Sequence, residues 1–436
     1  MQNLLFNKII YWSHLNIKEQ KKILSRPKID ISINISKIVN NILNDVQSQG
    51  DKALYFFNKK FDLYEKKKLI IDKDILLNST FFVNKNLKNA IKFASKNINL
   101  FHSKQQLSLI DVEINPGIRC MQITRPIDSV GLYVPGGTAP LLSTVLMLAI
   151  PAQIAGCKNI TLCSPPPISH AIIYAAKICG IKNIYQVGGA QAIAAMAFGT
   201  QSIKKVDKIF GPGNLWVTEA KRQVSQRNDG VTIDMIAGPT ELLIVADNNS
   251  NPAFIASDLL SQAEHGSDSQ LILITTNIKL INLVLIEINN QINILPRYEI
   301  IKKSLLKNSR FIIAKNIKEC IKISNIYGPE HLIIQVENAE MYIKYIKNAG
   351  SVFIGPWSTE SIGDYASGTN HVLPTSGHTL TCSGLSVIDF QKRILIQKIN
   401  KEGLLKIAPI IEILSDAENM IAHKNSIKLR VDKIKE

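Results

Sequence analysis

The stretch 130-VGLYVPGGTAPLLSTVLMLAIPAQIA-155 indicates the fold class of this chain. It begins with a short apolar run at 130–134, passes through a turn rich in proline and glycine, and continues as a longer apolar segment at 141–155. Apolar runs of about four to eight residues bounded by glycine or proline are typical of buried strands, and runs of about ten or more are typical of helices. We therefore predict a strand, a tight turn and a helix in this order.

The same rhythm continues on the C-terminal side of this stretch. Further strand-like runs are 160-ITLC-163, 183-NIYQV-187, 206-VDKIF-210, 242-LLIVA-246, 270-QLILIT-275, 311-FIIA-314, 332-LIIQV-336 and 351-SVFI-354. The helix candidates between them are 169–179, 190–198, 214–226, 252–264, 277–289, 316–326 and 338–347. Strands that alternate with helices favour parallel sheets covered on both faces. We predict an α/β fold with two doubly wound, Rossmann-like domains with mainly parallel sheets, in tandem or with one inserted into the other.

The two ends of the chain are predicted to be helical. Residues 35–46 and 87–101 carry apolar side chains at helical spacing, and the tail at 386–436 returns to the same periodicity. Between the last predicted strand and this tail lies a loop rich in Gly, Ser and Thr, at about 355–384. The architecture is therefore completed by small helical N-terminal and C-terminal segments.

A net charge of +16 over 436 residues first suggests a nucleic-acid or anionic membrane partner. The lysines are scattered among isoleucine and asparagine through nearly every segment, and only the run at 66–68 is locally dense. Aromatic and basic residues are not interleaved as in nucleic-acid-binding segments. A basic nucleic-acid-binding protein remains the alternative, but we expect no nucleic-acid partner.

Cysteine usage and hydropathy predict a soluble cytoplasmic protein. The six cysteines contain no CxxC pair, and the opening residues MQNLLFNKIIYW lack a small-residue cleavage pattern. The apolar segment at 141–155 includes Ser143, Thr144, Pro151 and Gln153, which makes it too short and too polar for a membrane span. We expect reduced thiols and no membrane partner.

Three glycine-containing turns follow predicted strands. They are 131-GLYVPGGTAP-140, 188-GGAQA-192 and 211-GPGN-214. Glycine permits close approach of a ligand to the backbone, and free amides at a helix start favour an anion such as a phosphate. Tight turns of any kind use glycine and proline, and none of the three matches GxGxxG. The pattern alone is compatible with a phosphate or nucleotide cleft.

Two short motifs contain histidine beside other polar groups. In 262-QAEH-265, Gln262 and His265 share one face of a predicted helix, so both can reach one metal ion. In 328-GPEH-331, Glu330 and His331 can divide proton-transfer roles. The alternatives are a surface or capping histidine in the first motif and an ordinary turn in the second.

Two later regions add candidates. The loop 363-GDYASGTNHVLPT-375 brings together Asp364, Asn370 and His371, although a structural Ω-loop uses similar residues. Glu418 and His423 are predicted on one C-terminal helix, where a separation of five residues aligns them only partly. His14, His102, His170 and His378 are best interpreted as structural or solvated.

Together these stretches resemble the histidinol dehydrogenase family from about residue 30 to 430. The resemblance depends on ordered motifs, which are YVPGG at 133–137, GGAQA at 188–192, GPGN at 211–214, IDMIAGPTE at 233–241, LLSQAEHG at 259–266, GPEHL at 328–332, GDYASGTNHVLPT at 363–375 and the spacing of Glu418 and His423. It implies an NAD-dependent, zinc-containing oxidoreductase that converts L-histidinol to L-histidine through L-histidinaldehyde, the last step of histidine biosynthesis.

The resemblance also implies a role for individual residues. One zinc ion per subunit would be bound by Gln262, His265, Asp364 and His423. His331 would remove the alcohol proton in the first oxidation, and Glu330 would activate water in the second. Substrate contacts would come from Thr240, Gln262, His265, His331, Asp364, His371, Glu418 and His423. NAD contacts would come from Tyr133, Gln191 and Asn214.

Further implications concern assembly and domain organisation. The family forms a homodimer with shared active sites, in which the segment with Glu418 and His423 completes the partner's site. The expected domains are an N-terminal segment at 1–30, a metal and substrate domain at 31–132 and 240–385, an NAD-binding domain at 133–239, and a tail at 386–436.

Two positions depart from the family pattern, and one other enzyme class fits the motifs. Thr240 replaces the usual serine, and Asn419 stands where many relatives have glycine. Without the resemblance, the motifs would equally fit another NAD-linked or zinc-dependent enzyme, such as a hydrolase that activates water at the metal.

Overall fold

The computed structural model describes residues 9–27, 33–65, 68–136, 141–235 and 238–436. Several predicted features lie partly outside the described residues. They are the N-terminal segment at 1–30, the lysine run at 66–68, the turns at 131–140 and 133–137 and the motif at 233–241.

The described residues form the following elements. The strands are β1 (Ile10–Tyr11), β2 (Ile110–Asn115), β3 (Ile118–Pro126), β4 (Ser129–Tyr133), β5 (Asn159–Ser164), β6 (Asn183–Gln186), β7 (Lys208–Phe210), β8 (Thr232–Ile233), β9 (Glu241–Ala246), β10 (Gln270–Thr275), β11 (Ser309–Ile313), β12 (His331–Gln335), β13 (Ser351–Ile354) and β14 (Gln391–Ile399). The α-helices are α1 (Ile17–Ile23), α2 (Ile33–Gln49), α3 (Asp51–Asp62), α4 (Lys73–Phe82), α5 (Lys85–His102), α6 (Leu142–Ala155), α7 (His170–Ile178), α8 (Gly189–Phe198), α9 (Leu215–Gln226), α10 (Pro252–Ala263), α11 (Ile278–Ile292), α12 (Tyr298–Asn308), α13 (Ile317–Tyr327), α14 (Glu360–Tyr365), α15 (Lys401–Ala417) and α16 (Ile421–Lys435).

Two parallel sheets dominate the described part of the chain. The larger has the strand order β1-β11-β10-β9-β12-β13, and the smaller has the order β6-β5-β4-β7-β8. In each sheet the chain order reverses once, between β9 and β12 and between β4 and β7. Such a reversal leaves a crevice between the diverging connections. The predicted doubly wound α/β fold is confirmed.

Helices cover both faces of the larger sheet. Leu242 and Ile244 of β9 pack into one apolar core, and Leu243 and Val245 pack into another. Successive side chains of a strand point to opposite faces, so a strand buried on both sides is apolar throughout. This is why 242-LLIVA-246 could be identified as a strand from its composition.

A third, antiparallel sheet was not predicted. It has the order β14-β3-β2, and its strand β14 lies inside the tail that we expected to be helical. The tail prediction is therefore wrong at 391–399. The residues QKRILIQKI form a short apolar run between polar ends, which sequence alone does not assign to helix or strand. Pairing with β3 decides the conformation.

Three other predictions need correction. Residues 339–345 form a 3-10 helix instead of the predicted α-helix, and α12 was not anticipated. Glu418 and His423 do not share one helix, because α15 ends at Ala417 and α16 begins at Ile421. Between the two helices Asn419 has a φ of 56°. This left-handed conformation suits asparagine and glycine, so either residue fits the backbone at position 419.

The helices α2 to α5 pack against the smaller sheet. Val39 and Leu43 of α2 share a core with Ile193 of α8 and Val217 of α9, and Ile98 of α5 lies in a second core on the same sheet. The predicted boundary at 132–133 stays a prediction, but this packing favours grouping the helices with the smaller sheet. None of the helices in the described ranges is long and apolar enough to cross a membrane.

Candidate functional site

Glu330 and His331 lie at the start of β12, beside the start of β9. The Oε2 atom of Glu330 accepts hydrogen bonds from the Thr240 hydroxyl at 2.6 Å and from the Glu241 amide at 2.9 Å. Burial raises the pKa of Glu330 well above its ordinary value, and the two hydrogen bonds oppose that shift only in part. The structure thus brings the predicted acid–base pair together with Thr240, another predicted site residue.

The ring of His331 has one anchored nitrogen and one free nitrogen. Its Nδ1 lies 3.2 Å from the carbonyl oxygen of Glu241. Since a carbonyl only accepts, Nδ1 carries the proton and Nε2 keeps its lone pair. Among the described residues Nε2 is buried without a hydrogen-bond partner, and Asp364 Oδ1 lies 3.8 Å away. Burial lowers the pKa of His331 to about 3, so the ring is neutral and able to accept a proton.

Gln262 reaches the same place from the last turn of α10, where it is fully buried. Its amide can take two orientations: with the nitrogen toward Glu360 and the oxygen toward Thr240, or with the nitrogen toward Thr240 and the oxygen toward Glu360. Without a cation the first orientation satisfies both ends of the amide, because the nitrogen donates to Glu360 and the oxygen also accepts from the Glu241 amide at 3.2 Å. The second orientation points the amide oxygen at the Glu360 carboxylate, an arrangement of two acceptors that is favourable only with a cation between them.

Ligand atoms suited to a divalent cation lie together at this point. One atom each from His265, Glu360 and Asp364 lies within 4.8 Å of the other two. His265 stands just beyond α10 instead of on it, but its amide bonds to the Gln262 carbonyl at 3.3 Å and continues the turn. Burial raises the pKa of Asp364 to about 7 and that of Glu360 well above its ordinary value. Zinc accepts imidazole and carboxylate ligands, and a cation would favour the ionised carboxylates, so this donor set fits the metal.

Glu360 was missed by the sequence analysis. It is almost completely buried, and it precedes Asp364 by four residues on α14. That spacing places both carboxylates on one face of the short helix. This spacing is visible in 360-ESIGD-364, but the Gly, Ser and Thr residues around it predict a loop.

His371 forms part of the wall of the site. Its Nδ1 lies 2.9 Å from the Asp364 carbonyl oxygen, and its Nε2 lies 3.2 Å from the Thr144 hydroxyl. Burial lowers the pKa of this ring to about 4. Asn370 points away from the site, since it donates to the Met147 carbonyl at 2.8 Å and lies 3.4 Å from the buried His102 ring. His102 is therefore structural, as predicted.

Glu418 and His423 are not brought to this cluster within one chain. Both are exposed, and no buried residue occurs in α16. The group of possible metal ligands found among the described residues consists of His265, Glu360 and Asp364 and contains neither Glu418 nor His423.

The three predicted NAD contacts line one cavity of about 850 Å³. Tyr133 ends β4, Gln191 lies in the first turn of α8, and Asn214 follows β7. These positions are at the carboxyl ends of strands on both sides of the chain reversal, where parallel sheets bind ligands. Asn214 also caps α9, because its Oδ1 accepts from the amides of Trp216 and Val217 at 3.1 and 3.2 Å.

The start of α8 suits an anionic part of a ligand. Gly188, the residue before α8, offers no side-chain cap to the first amides of the helix, and Gly189 has a φ of 62°. A Cβ at Gly188 would lie 2.4 Å from Pro165 Cγ, so the close approach of these turns requires glycine. The Tyr133 hydroxyl accepts from the Gly189 amide at 3.1 Å and orders the turn. Asp62, which the sequence analysis missed, lines the same cavity, and one of its carboxylate oxygens has no partner in the described part of the chain.

Comparisons with known proteins agree on one family. The family model described as histidinol dehydrogenase matches residues 24–431. The chain is 56% identical over 430 residues to histidinol dehydrogenase of Buchnera aphidicola subsp. Acyrthosiphon pisum (strain APS), with 99% of each chain covered. It is 54% identical over 431 residues to that of Escherichia coli (strain K12), again with 99% of each covered. It also resembles the crystal structure of histidinol dehydrogenase from Elizabethkingia anophelis, with a TM-score of 0.95, 46% identity and 100% coverage of both chains.

Proposed function

The chain belongs to the histidinol dehydrogenase family, and from this premise we propose that it oxidises L-histidinol with NAD, through L-histidinaldehyde, to L-histidine. The observation that carries the proposal is the pairing of a neutral, buried His331, whose Nε2 is free, with the buried carboxyl of Glu330. Two oxidations at one carbon need one group that removes the alcohol proton and one that activates water. This pair supplies both at adjacent positions.

His331 acts in the first oxidation. Its Nε2 takes the hydroxyl proton while the alcohol carbon is oxidised to the aldehyde. The bond between Nδ1–H and the Glu241 carbonyl holds the ring in the required tautomer and supports the imidazolium that forms. His331 then returns the proton to water before the next turnover.

Glu330 acts in the second oxidation. Its carboxylate takes a proton from water as the water oxygen adds to the aldehyde carbon. The raised pKa of Glu330 makes it a stronger base than an exposed glutamate, which suits this step near neutral pH. Thr240 and the Glu241 amide keep the carboxylate oriented.

Zinc is proposed at Gln262, His265 and Asp364, with His423 of a second copy as the fourth ligand and Glu360 beside them. The support is the cluster of ligand atoms described above, which Gln262 adjoins through its contact with Glu360. Zinc bound there would anchor the amine and imidazole nitrogens of the substrate and act as a Lewis acid. The chain's own contribution is a set of oxygen and nitrogen donors in which Gln262 and Glu360 are buried and His265 is exposed.

NAD is proposed in the cavity lined by Tyr133, Gln191 and Asn214. Bound NAD would accept the hydride in each oxidation. The support is the cavity volume, the uncapped amides of α8 and the position at the chain reversal of the sheet. Residence in the cytoplasm, predicted from the sequence, remains a proposal.

A homodimer with shared sites is proposed because His423 and Glu418 are exposed and far along the chain from the other site residues. Several large apolar side chains of the C-terminal segment are also exposed, namely Leu395, Ile410, Ile413, Leu414 and Leu429. Apolar surface of this kind favours a protein interface. A second copy would cover it and supply the missing ligand.

The test is the stoichiometry of the reaction with purified protein. We expect two NADH per histidinol consumed, histidine as product, no NADH from simple alcohols, and loss of turnover after a chelator removes zinc. No NADH from histidinol with zinc-loaded protein would reject the proposed function.

A further inference from the structure

Arg26 lies behind the acid–base pair, in the N-terminal segment to which the family motifs assign no role. Its Nε and Nη2 atoms form two parallel hydrogen bonds with the Glu241 carboxylate, at 2.5 and 2.9 Å. The same Nη2 donates to the carbonyl oxygens of Tyr327 and Gly328, at 2.8 and 2.9 Å. The guanidinium carbon stands 4.0 Å from the centre of the Tyr327 ring.

These contacts join the two backbone segments that carry the acid–base pair. Glu241 is the first residue of β9, and Tyr327 and Gly328 form the turn that leads through Pro329 to Glu330. Tyr327 and the loop at 376–379 also connect Glu241 with this turn, but among the ion pairs of the described residues Arg26 is the one that reaches the Glu241 carboxylate. Arg26 therefore reinforces the spacing of two segments that β9 and β12 already pair through their backbones.

Glu241 in turn holds both members of the pair through its backbone. Its amide donates to Glu330 at 2.9 Å, and its carbonyl accepts from His331 Nδ1 at 3.2 Å. Its Oε1 also accepts from the Ser376 amide at 2.8 Å, which attaches the loop that follows His371. A shift of Glu241 would move the free nitrogen of His331 and the carboxyl of Glu330 together.

The Glu241 carboxylate is nearly completely buried, with 3% of its side chain exposed, whereas 20% of the Arg26 side chain is exposed. A buried carboxylate without a partner is strongly unfavourable, so its position follows its counter-ion. The planar fork of arginine matches the carboxylate at two points, and the second hydrogen of Nη2 is shared between the two carbonyls. A lysine ammonium is a point charge and cannot match the carboxylate and both carbonyls in this planar arrangement.

We propose that Arg26 is a positioning residue for the proposed dehydrogenase reaction. By bridging Glu241 to the turn at 327–328, it holds His331 and Glu330 in register with the reacting carbon. The inference depends on the proposed function, because it concerns the same pair. It assigns the N-terminal segment a part in turnover and none in binding of zinc, NAD or histidinol.

The test compares three zinc-loaded proteins, which are Arg26→Ala, Arg26→Lys and the wild type. For Arg26→Ala we expect kcat to fall by about 100-fold, because small displacements of reacting groups have effects of this size. KM for histidinol and NAD and the zinc content should stay within about two-fold of wild type, since the ligand and cofactor residues are elsewhere. Arg26→Lys should retain an intermediate kcat.

Chemical rescue separates positioning from a general loss of structure. Because the Arg26 side chain is partly exposed, millimolar guanidinium can enter the space left by Arg26→Ala, and it should raise kcat at least five-fold. Urea at the same concentration has the same shape without the charge and should have no effect. If Arg26→Ala does not fold, the kcat of folded Arg26→Lys tests the positioning role instead.

Arg222→Ala is the matched control. Arg222 also forms two bonds with a buried carboxylate, that of Glu219, on α9. This variant should lose stability but keep its kcat and show no guanidinium effect.

The inference would be overturned by a wild-type kcat in Arg26→Ala. If the alanine variant does not fold, a wild-type kcat in folded Arg26→Lys would overturn it. A loss of kcat that follows zinc loss without guanidinium rescue would overturn it too. Inactive wild-type protein would instead reject the proposed function.

Discussion

His331 combines two properties at the scale of a single residue. Burial keeps the ring neutral, and the Glu241 carbonyl determines which nitrogen carries the proton. A neutral imidazole with a directed lone pair is a base, whereas the same ring in water would be partly protonated near neutral pH. The surroundings of His331 therefore make it reactive, and its identity alone does not.

Replacing His331 by alanine should reduce kcat by about 10²–10⁴-fold, the contribution typical of general base catalysis. Histidinol binding should change much less, because the proposed metal ligands remain. Steady-state kinetics and equilibrium binding of histidinol measure the two effects. Near-normal turnover in His331→Ala would remove this residue from the role of base.

Replacing Glu330 by glutamine should separate the two oxidations. Glutamine keeps an oxygen that can accept from Thr240 and Glu241, but it cannot take a proton from water. We expect NADH per histidinol to fall from two toward one, with histidinaldehyde as the product. A Glu330→Gln variant that still produces two NADH per histidinol at the normal rate would contradict the role assigned to Glu330.

The raised pKa of Glu330 has a consequence for the wild-type enzyme. In the proposed role of Glu330 the carboxylate is the form that activates water, so aldehyde oxidation should rise with pH through a value well above the ordinary range of glutamate. This rise can be measured as the rate of oxidation of added histidinaldehyde from about pH 5 to 9.

At the scale of elements, α10 carries a buried carboxylate that opposes folding at high pH. Burial raises the pKa of Asp258 from 3.8 to about 7, although Gln335 donates to it at 3.0 Å. The folded state thus favours the protonated form. The free energy of unfolding should decrease as pH rises from about 4 to 7 and should stay low above that, other groups being equal.

Asp258→Asn should therefore stabilise the protein at pH 8 and have little effect at pH 4. Asparagine resembles the protonated acid and still accepts from Gln335. The gain at pH 8 should be on the order of 1–3 kcal/mol, seen by urea unfolding at the two pH values. An equal change in the free energy of unfolding at pH 4 and pH 8 would show that ionisation of Asp258 is not the cause.

The elements also show where sequence patterns are sufficient and where they fail. The run 270–275 coincides with β10, because this strand is buried along its whole length and is therefore almost entirely apolar. The run 351–354 coincides with β13, a half-buried edge strand with an apolar centre. The strand β14 and the break at Asn419 were missed. Both depend on partners or backbone angles that apolar periodicity does not encode.

At the scale of the whole molecule, the proposed dimer makes a prediction that a single chain cannot. If His423 serves the partner's site, a mixed dimer of His331→Ala and His423→Ala contains one intact site, built from His331 of one subunit and His423 of the other. Random reassociation of the two inactive variants should then restore about a quarter of wild-type activity. Mixed variants that stay inactive, although mass spectrometry shows that hetero-dimers formed, would place His423 in its own subunit's site.

The sequence alone determined the alternation of strands and helices and the chemistry of the side chains, since periodicity and residue type are local properties. It therefore predicted the parallel α/β fold, the pair Glu330–His331 and the residues Gln262, His265 and Asp364. Only the tertiary structure decided which nitrogen of His331 is free, that Glu360 lies beside the proposed metal ligands and that Arg26 lies behind Glu241. These features join residues as distant as Arg26 and Gly328, and a contact between them exists only once the chain has packed.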